Sequence, residues 1–385
     1  MMVGKSIENI LAFGCFLSIG TSIYKADFSV SIILFVIYLL GNIYKHKLHI
    51  NYKIPKDILL AMSSLGVLVL LSCASHGNLR IIKAGFEYIY WMLPFFMFWI
   101  MAQRNDIRAG VKYAFYVSCV LMCSYGYYEY FILHYKRVNS FYGGPNQLAT
   151  IIELLLPFTV AYYFKNKDSK DKIVCVILFF MCVLLLWMTG SRGAWLGVIA
   201  AGMICTAMYL YFKNNGSQKI IVGMCVLMLL VFCGLFYSGK LNRSYDYERV
   251  YIFQSSIEMW KEHKLIGVGV GEFGKHYQSR YINPKAKEIH IDKSHNIVTA
   301  FLAETGIIGT TGFVLMNVFI YLYLINLIGF DKYNYFAWAM LCAFMALSLH
   351  GVVDSTFNNN SVNRLFWGLL GITCIHKDDC SNNES

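Results

Sequence analysis

Residues 172–212 read KIVCVILFFMCVLLLWMTGSRGAWLGVIAAGMICTAMYLYF. Two apolar runs, 172–190 and 194–212, flank a turn of a few residues that carries one arginine. A helix crossing a bilayer needs roughly 20 mostly apolar residues, so this segment is a pair of spanning helices joined at one membrane face. Working outward, comparable stretches occur at 7–24, 27–44, 57–74, 86–102, 111–134 and 147–164 on one side, and at 219–238, 297–329, 333–349 and 362–375 on the other. The whole chain therefore reads as an all-α integral membrane protein with about twelve spans. Its composition agrees. With 57% apolar residues, 14% charged residues and a mean hydropathy of +0.51, a water-soluble globule would lack polar surface. The first stretch has no small-residue cleavage pattern before Tyr24-Lys25 and is expected to be a retained span.

Short cytoplasmic loops collect lysine and arginine. If the spans are numbered from a cytoplasmic N-terminus, sixteen of the 33 basic residues fall on that side and seven in the short loops opposite, with ten more in the segment 239–293. Both termini are thus expected in the cytoplasm. The expected organisation is spans one to nine over 1–238, a long outer loop with short amphipathic helices over 239–293, spans ten to twelve over 294–376, and a polar tail over 377–385. The net charge of +11 is mostly this topological signal and argues against nucleic acid as a partner. Most cysteines lie in apolar spans and none in the long loop, which argues against a disulfide framework. No histidines or cysteines stand at metal-ligand spacing, so neither metal nor cofactor is expected.

Five outer segments carry chemistry. In Thr189-Gly190-Ser191-Arg192-Gly193-Ala194-Trp195 the short turn holds Arg192 at the membrane surface. Its guanidinium fork suits phosphate, and an interfacial anchor beside Trp195 is the other reading. Phe141-Tyr142-Gly143-Gly144-Pro145-Asn146, after Lys136-Arg137, is a turn in which Asn146 suits a helix N-cap. In the stretch 245–260, apolar residues at 250, 253, 257 and 260 describe an amphipathic helix on the outer leaflet. Arg249 in its first turn opposes the helix dipole and needs an anion, either Glu248 or a ligand phosphate. The glycine-rich GVGVG at 267–271 has no strand-to-helix context and makes poor evidence for a nucleotide site. Lys293-Ser294-His295-Asn296 opens the tenth span, with Ser294 or Asn296 as cap and His295 at its mouth, where a side chain with an ordinary pKa of about 6.5 suits proton transfer. Glu304, farther down that span, is a carboxylate in need of a partner. Last, His350-Gly351-Val352-Val353-Asp354-Ser355 either contributes to a site or turns the chain.

Together TGSRGAWLG at 189–197, ERVYIFQSSIEMWKEHKLIGVGVGEFG at 248–274 and SHNIVTAFLAETGIIG at 294–309 resemble the O-antigen ligase and polymerase superfamily of bacterial envelope glycosyltransferases. The similarity covers roughly residues 135–370; the first hundred residues match only as generic spans. The resemblance implies a GT-C-like membrane fold in the bacterial inner membrane with its site facing the periplasm. It implies an undecaprenyl diphosphate-linked glycan as donor, a metal-independent inverting transfer, and in the ligases a lipid A core oligosaccharide as acceptor. It also implies that Arg192 and Arg249 engage the diphosphate and that His295 is the general base. Arg280 and Arg137 are weaker diphosphate candidates, and Asn146, Asn296, Glu304 and Asp354 are supporting residues. The single long loop favours ligase over polymerase. A transporter, whose path would be lined by Glu304 and the outer arginines, would need paired broken helices; a structural scaffold would leave the arginines and histidine unexplained.

Overall fold

The computed structural model describes residues 2–21, 27–45, 53–102, 108–212, 223 and 244–374. The expected span at 219–238, but for residue 223, the start of the outer loop at 239–243 and the tail at 377–385 lie outside these. The described residues form helices α1 (Met2–Thr21), α2 (Asp27–Tyr44), α3 (Lys56–Ala74), α4 (Leu79–Tyr90), α5 (Leu93–Ala102), α6 (Arg108–Phe131), α7 (Pro145–Lys165), α8 (Ser169–Thr189), α9 (Arg192–Phe212), α10 (Ser244–Glu262), α11 (Ile297–Phe330), α12 (Tyr335–Gly351) and α13 (Asn360–Thr373). Six helical segments are long and apolar enough to cross a membrane, and Ile7–Thr21, Phe28–Tyr44 and Tyr335–Gly351 are shorter apolar helices. The chain is a helical, multi-pass membrane protein.

Local signals set the boundaries. Gly190 closes α8 in the left-handed conformation at φ 64, where a side chain would be strained, and α9 starts two residues later. Pro145, preset for a first helical turn and lacking an N–H that would go unused there, opens α7 after Gly144. Asn146 is therefore not the cap expected from sequence; it lies inside the first turn. Asn296, not Ser294, caps α11 by accepting the Thr299 N–H at 3.0 Å. Ser294 is instead buried between Ser256 of α10 (3.1 Å) and Thr299 (2.9 Å).

The bundle is organised by α11 against α3, α12 against α7 and α9, α1 against α6, and α13 against α5. The ends Phe131, Thr189 and Gly351 and the starts Pro145, Arg192 and Ile297 share one face of it. At the other face Lys112 pairs with Asp171 at 2.5 Å. Helix α10 lies across the first face and packs on α11. Its buried side chains are Glu248, Ile252, Ser255, Ser256 and Met259, while Val250 and Phe253 stay exposed. Of the apolar stripe predicted for it, Val250 and Phe253 thus face outward, and Ile257 and Trp260 are half-buried.

Helix α11 has 34 residues, about 50 Å at 1.5 Å per residue, well beyond the roughly 30 Å of a hydrocarbon core. It breaks at Gly306 (φ 60, ψ −161). The segment 264–269, in the loop after α10, fills the break. Val268 and Gly269 N–H groups donate to the carbonyls of Ala303 (2.8 Å) and Glu304 (2.9 Å), while the N–H groups of Ile307 and Ile308 donate to Lys264 (2.8 Å) and Leu265 (3.2 Å). Two helical hydrogen bonds are exchanged for four to the loop. Close approach demands glycine on both sides: a Cβ on Gly306 would overlap the Leu265–Ile266 backbone, and one on Gly267 the Glu304–Thr305 backbone. The GVGVG run is hence a packing device. The opened groups are met by the chain itself, leaving none of them for the ion or solute that broken transporter helices coordinate.

Candidate functional site

Where α7, α9, α11 and α12 meet α10, a cavity of about 620 Å³ opens, lined in part by Arg137, Arg192, Arg249, His295 and His350. Its walls come from six separate regions of the sequence. Lys136 and Arg137 precede α7; Ser191 and Arg192 stand at the start of α9; Glu248 and Arg249 are in α10; Glu288 follows in the loop; His295 immediately precedes the α11 cap; and His350 is near the end of α12. Four permanent cations line it against two carboxylates. Of these, Glu248 spends an oxygen on the N–H groups of Lys287 (2.9 Å) and Glu288 (3.2 Å).

Asp354 organises the rim. Its Oδ1 stands 3.6 Å from Nδ1 of His295, and its Oδ2 stands 4.0 Å from Nη2 of Arg249 and accepts from Nδ2 of Asn146 at 2.5 Å. Asn146 in turn accepts from Nη2 of Arg137 at 2.7 Å, whose Nε donates to the Thr189 carbonyl at 2.7 Å. Burial pushes the Asp354 carboxyl up, but the His295 hydrogen bond and the charges of His350, His295 and Arg249 outweigh it and hold the group well below the usual carboxylate range. An ionised Asp354 keeps an N–H of His295 on Nδ1 and leaves Nε2 as the nitrogen able to accept a proton.

The α12–α13 loop that carries Asp354 is fastened at several points. Arg249 Nη1 donates to the Val353 carbonyl at 3.0 Å, Asn296 Nδ2 to that of Val352 at 2.7 Å, and Lys293 Nζ to that of Asn358 at 2.6 Å. The anion facing Arg249 is thus Asp354 and not Glu248. Deeper, His350 places Nδ1 3.1 Å from Oε1 of Glu153 and Nε2 3.4 Å from Oγ of Ser191. Both members of that pair are buried.

The sequence candidates thus divide. Arg137, Asn146, Arg192, Arg249 and His295 line one cavity, with Asp354 joining them and Asn296 bracing the loop behind. Arg280 is elsewhere, paired with Glu262 at 2.7 Å and set over the Tyr281 ring. Glu304 is buried and accepts the Gly271 N–H at 3.1 Å, serving the loop-to-helix junction. Two carboxylates escaped the sequence reading. Glu153 underlies the cavity, and Glu129 accepts the N–H groups of Asn139 (2.8 Å) and Ser140 (2.7 Å) and so shapes the loop bearing Arg137. Each is a lone acid in an apolar run, the signal that singled out Glu304. Among the described residues no cluster of three or more His, Cys, Asp or Glu side chains could hold a metal ion.

The fold and cavity define a multi-pass membrane protein with a cationic, histidine-bearing pocket at one end of its bundle. Residues 177–314 match the family model described as O-antigen ligase, in agreement with the resemblance read from the motifs. The matched stretch is narrower than 135–370; it contains Arg192, Arg249 and His295 but not Arg137, Asn146 or Asp354. The chain is also 26% identical over 236 residues to the ComP-specific O-oligosaccharyltransferase of Acinetobacter baylyi, an alignment covering 57% of this chain and 41% of that protein. The chain therefore spans less than half the length of the curated relative it matches.

Proposed function

We propose that this protein is an O-antigen ligase of the bacterial inner membrane, which moves a polysaccharide from undecaprenyl diphosphate to a sugar hydroxyl of the lipid A core. The reading is supported above all by one cavity that gathers Arg192, Arg249 and His295 from distant parts of the chain. In this reading about twelve spans place the cavity on the periplasmic side, both termini are cytoplasmic, and a polyprenyl tail remains in the lipid. Departure of a diphosphate requires its growing negative charge to be stabilised, which fixed guanidinium groups of Arg192 and Arg249 do, with Arg137 at the margin. The attacking hydroxyl loses its proton to Nε2 of His295, oriented through Nδ1 by Asp354. Positioned proton transfer of this sort contributes roughly 10²–10⁴-fold. The bond from the anomeric carbon to the acceptor oxygen forms as its bond to phosphate oxygen breaks, and configuration inverts.

The relative named as an O-oligosaccharyltransferase favours a second reading, in which the acceptor is a protein hydroxyl. A deletion strain separates the readings. Loss of long-chain lipopolysaccharide with accumulation of lipid-linked polymer supports ligation to lipid A core. Core bearing a single repeat indicates a polymerase, and intact lipopolysaccharide with an unglycosylated envelope protein indicates the protein-directed enzyme.

A further inference from the structure

Beneath the arginines, Glu153, His350 and Ser191 form a line that ends in the cavity. Glu153 and His350 are buried in the bundle, and the line meets the cavity at Ser191, which, like the edge of His350, is a wall of the pocket and is the residue before Arg192. A buried acid–histidine pair is costly, and apolar residues of similar volume would often serve stability as well or better. Helix α9 nevertheless makes room for it. A Cβ on Gly193 would come 2.7 Å from Cδ2 of His350, and one on Gly197 would come 3.4 Å from Oε1 of Glu153. The Ser191 to Nε2 distance of 3.4 Å is long, as such bonds often are before a ligand seats and tightens them.

We propose that Glu153, His350 and Ser191 are a proton relay serving the leaving group, so that the pocket holds an acid on the donor side besides the base at His295. The inference rests on the transferase reading above. Glu153 holds His350 with a proton on Nδ1, and the protonated ring turns its Nε2–H to Ser191 Oγ. The serine hydroxyl hydrogen is then directed at the anion held by the neighbouring Arg192. As the anomeric carbon–oxygen bond breaks, the bonding pair stays on the diphosphate oxygen. That oxygen takes the Ser191 proton while Ser191 takes one from His350. His295 has meanwhile gained the proton of the acceptor hydroxyl, so one proton enters and one leaves the protein side of the reaction. Exchange with water resets both histidines. Ser191 is the group that meets substrate; His350 and Glu153 are positioning residues acting through it.

The charged and titratable groups facing His350 are Glu153 from α7, Asp354 beyond its own helix, and Arg249 from α10. An acid must be protonated to act, so the relay gives the rate an alkaline limb, whereas the base at His295 gives an acidic one. The test measures kcat against pH, between about pH 6 and 9, for the purified full chain with a lipid diphosphate-linked glycan and core acceptor. Wild type, Ser191→Ala, His350→Gln, Arg192→Lys and His295→Ala are compared. Ser191→Ala removes only a hydroxyl and should lower kcat about a hundredfold, abolish the alkaline limb and leave the acidic limb in place. His350→Gln should do the same if it folds. Wild-type kcat and an intact alkaline limb in Ser191→Ala overturn the relay. If Arg192→Lys and His295→Ala are also fully active, the transferase reading of the pocket has failed; if those two are impaired while Ser191→Ala is not, the relay alone has failed.

Discussion

His295 and Asp354 face each other at 3.6 Å across the cavity rim, from loops about sixty residues apart in sequence, and the carboxylate's second oxygen is shared with Arg249 and Asn146. One acid thus orients the proposed base and holds the proposed phosphate ligand in register. Replacing Asp354 by Asn retains the size but makes the side chain a competing donor. Transfer should fall at least about tenfold, and His295→Ala should cost about a hundredfold or more, both measured as kcat in a reconstituted glycan-transfer assay. Equal activity of Asp354→Asn and wild type would separate the two residues.

The arginines should differ by position. Lysine cannot reproduce a planar fork, so Arg192→Lys and Arg249→Lys are expected to weaken donor use about tenfold, at a cost in kcat/KM of roughly 1.4 kcal/mol. Arg280→Ala, which breaks a pair with Glu262 outside the cavity, should leave kcat/KM within about twofold, since exposed ion pairs contribute little.

Asp354 also sets a pH window. Its pKa lies below the ordinary carboxylate value, so its contribution to stability is full above that value, about pH 4. The contribution is lost as pH falls through the depressed native value. The stability deficit of Asp354→Asn should therefore stay constant from neutrality down to about pH 4 and shrink only in stronger acid. Thermal unfolding of both proteins in detergent across that range gives the answer; a deficit that closes near neutral pH would contradict the assignment.

At the helix break, Gly306→Ala combines a positive φ with overlap of the Leu265–Ile266 backbone. Strain of that kind costs of order 1–3 kcal/mol before the clash is added, and a lowered melting temperature in detergent should report it. Gly202→Ala, where an added methyl group meets nothing within 4 Å, is the matched control.

Hydropathy and turn residues made the helices legible, because a bilayer imposes a length and Gly190 and Pro145 punctuate it. Arg192, Arg249 and His295 were legible because each is a polar group at a helix mouth with no local reason to be there. Partnership was not. Arg249 finds Asp354 and not the adjacent Glu248, and Glu153 finds His350, at separations that no periodicity records. Which side of α10 meets the bundle was not legible either: its buried side chains include Glu248, Ser255 and Ser256, while Val250 and Phe253 stay exposed.

The exchange of hydrogen bonds at Gly306 has a consequence for biogenesis. Residues 264–269 leave the ribosome before 303–308, so the piece that completes the broken helix is made before the helix it completes. Without that segment seated, the carbonyls of Ala303 and Glu304 and the N–H groups of Ile307 and Ile308 can be satisfied only by closing on one another as straight helix; left open in lipid, each would cost several kcal/mol. The kink at Gly306 and the path of residues 264–269 are therefore one feature, formed together.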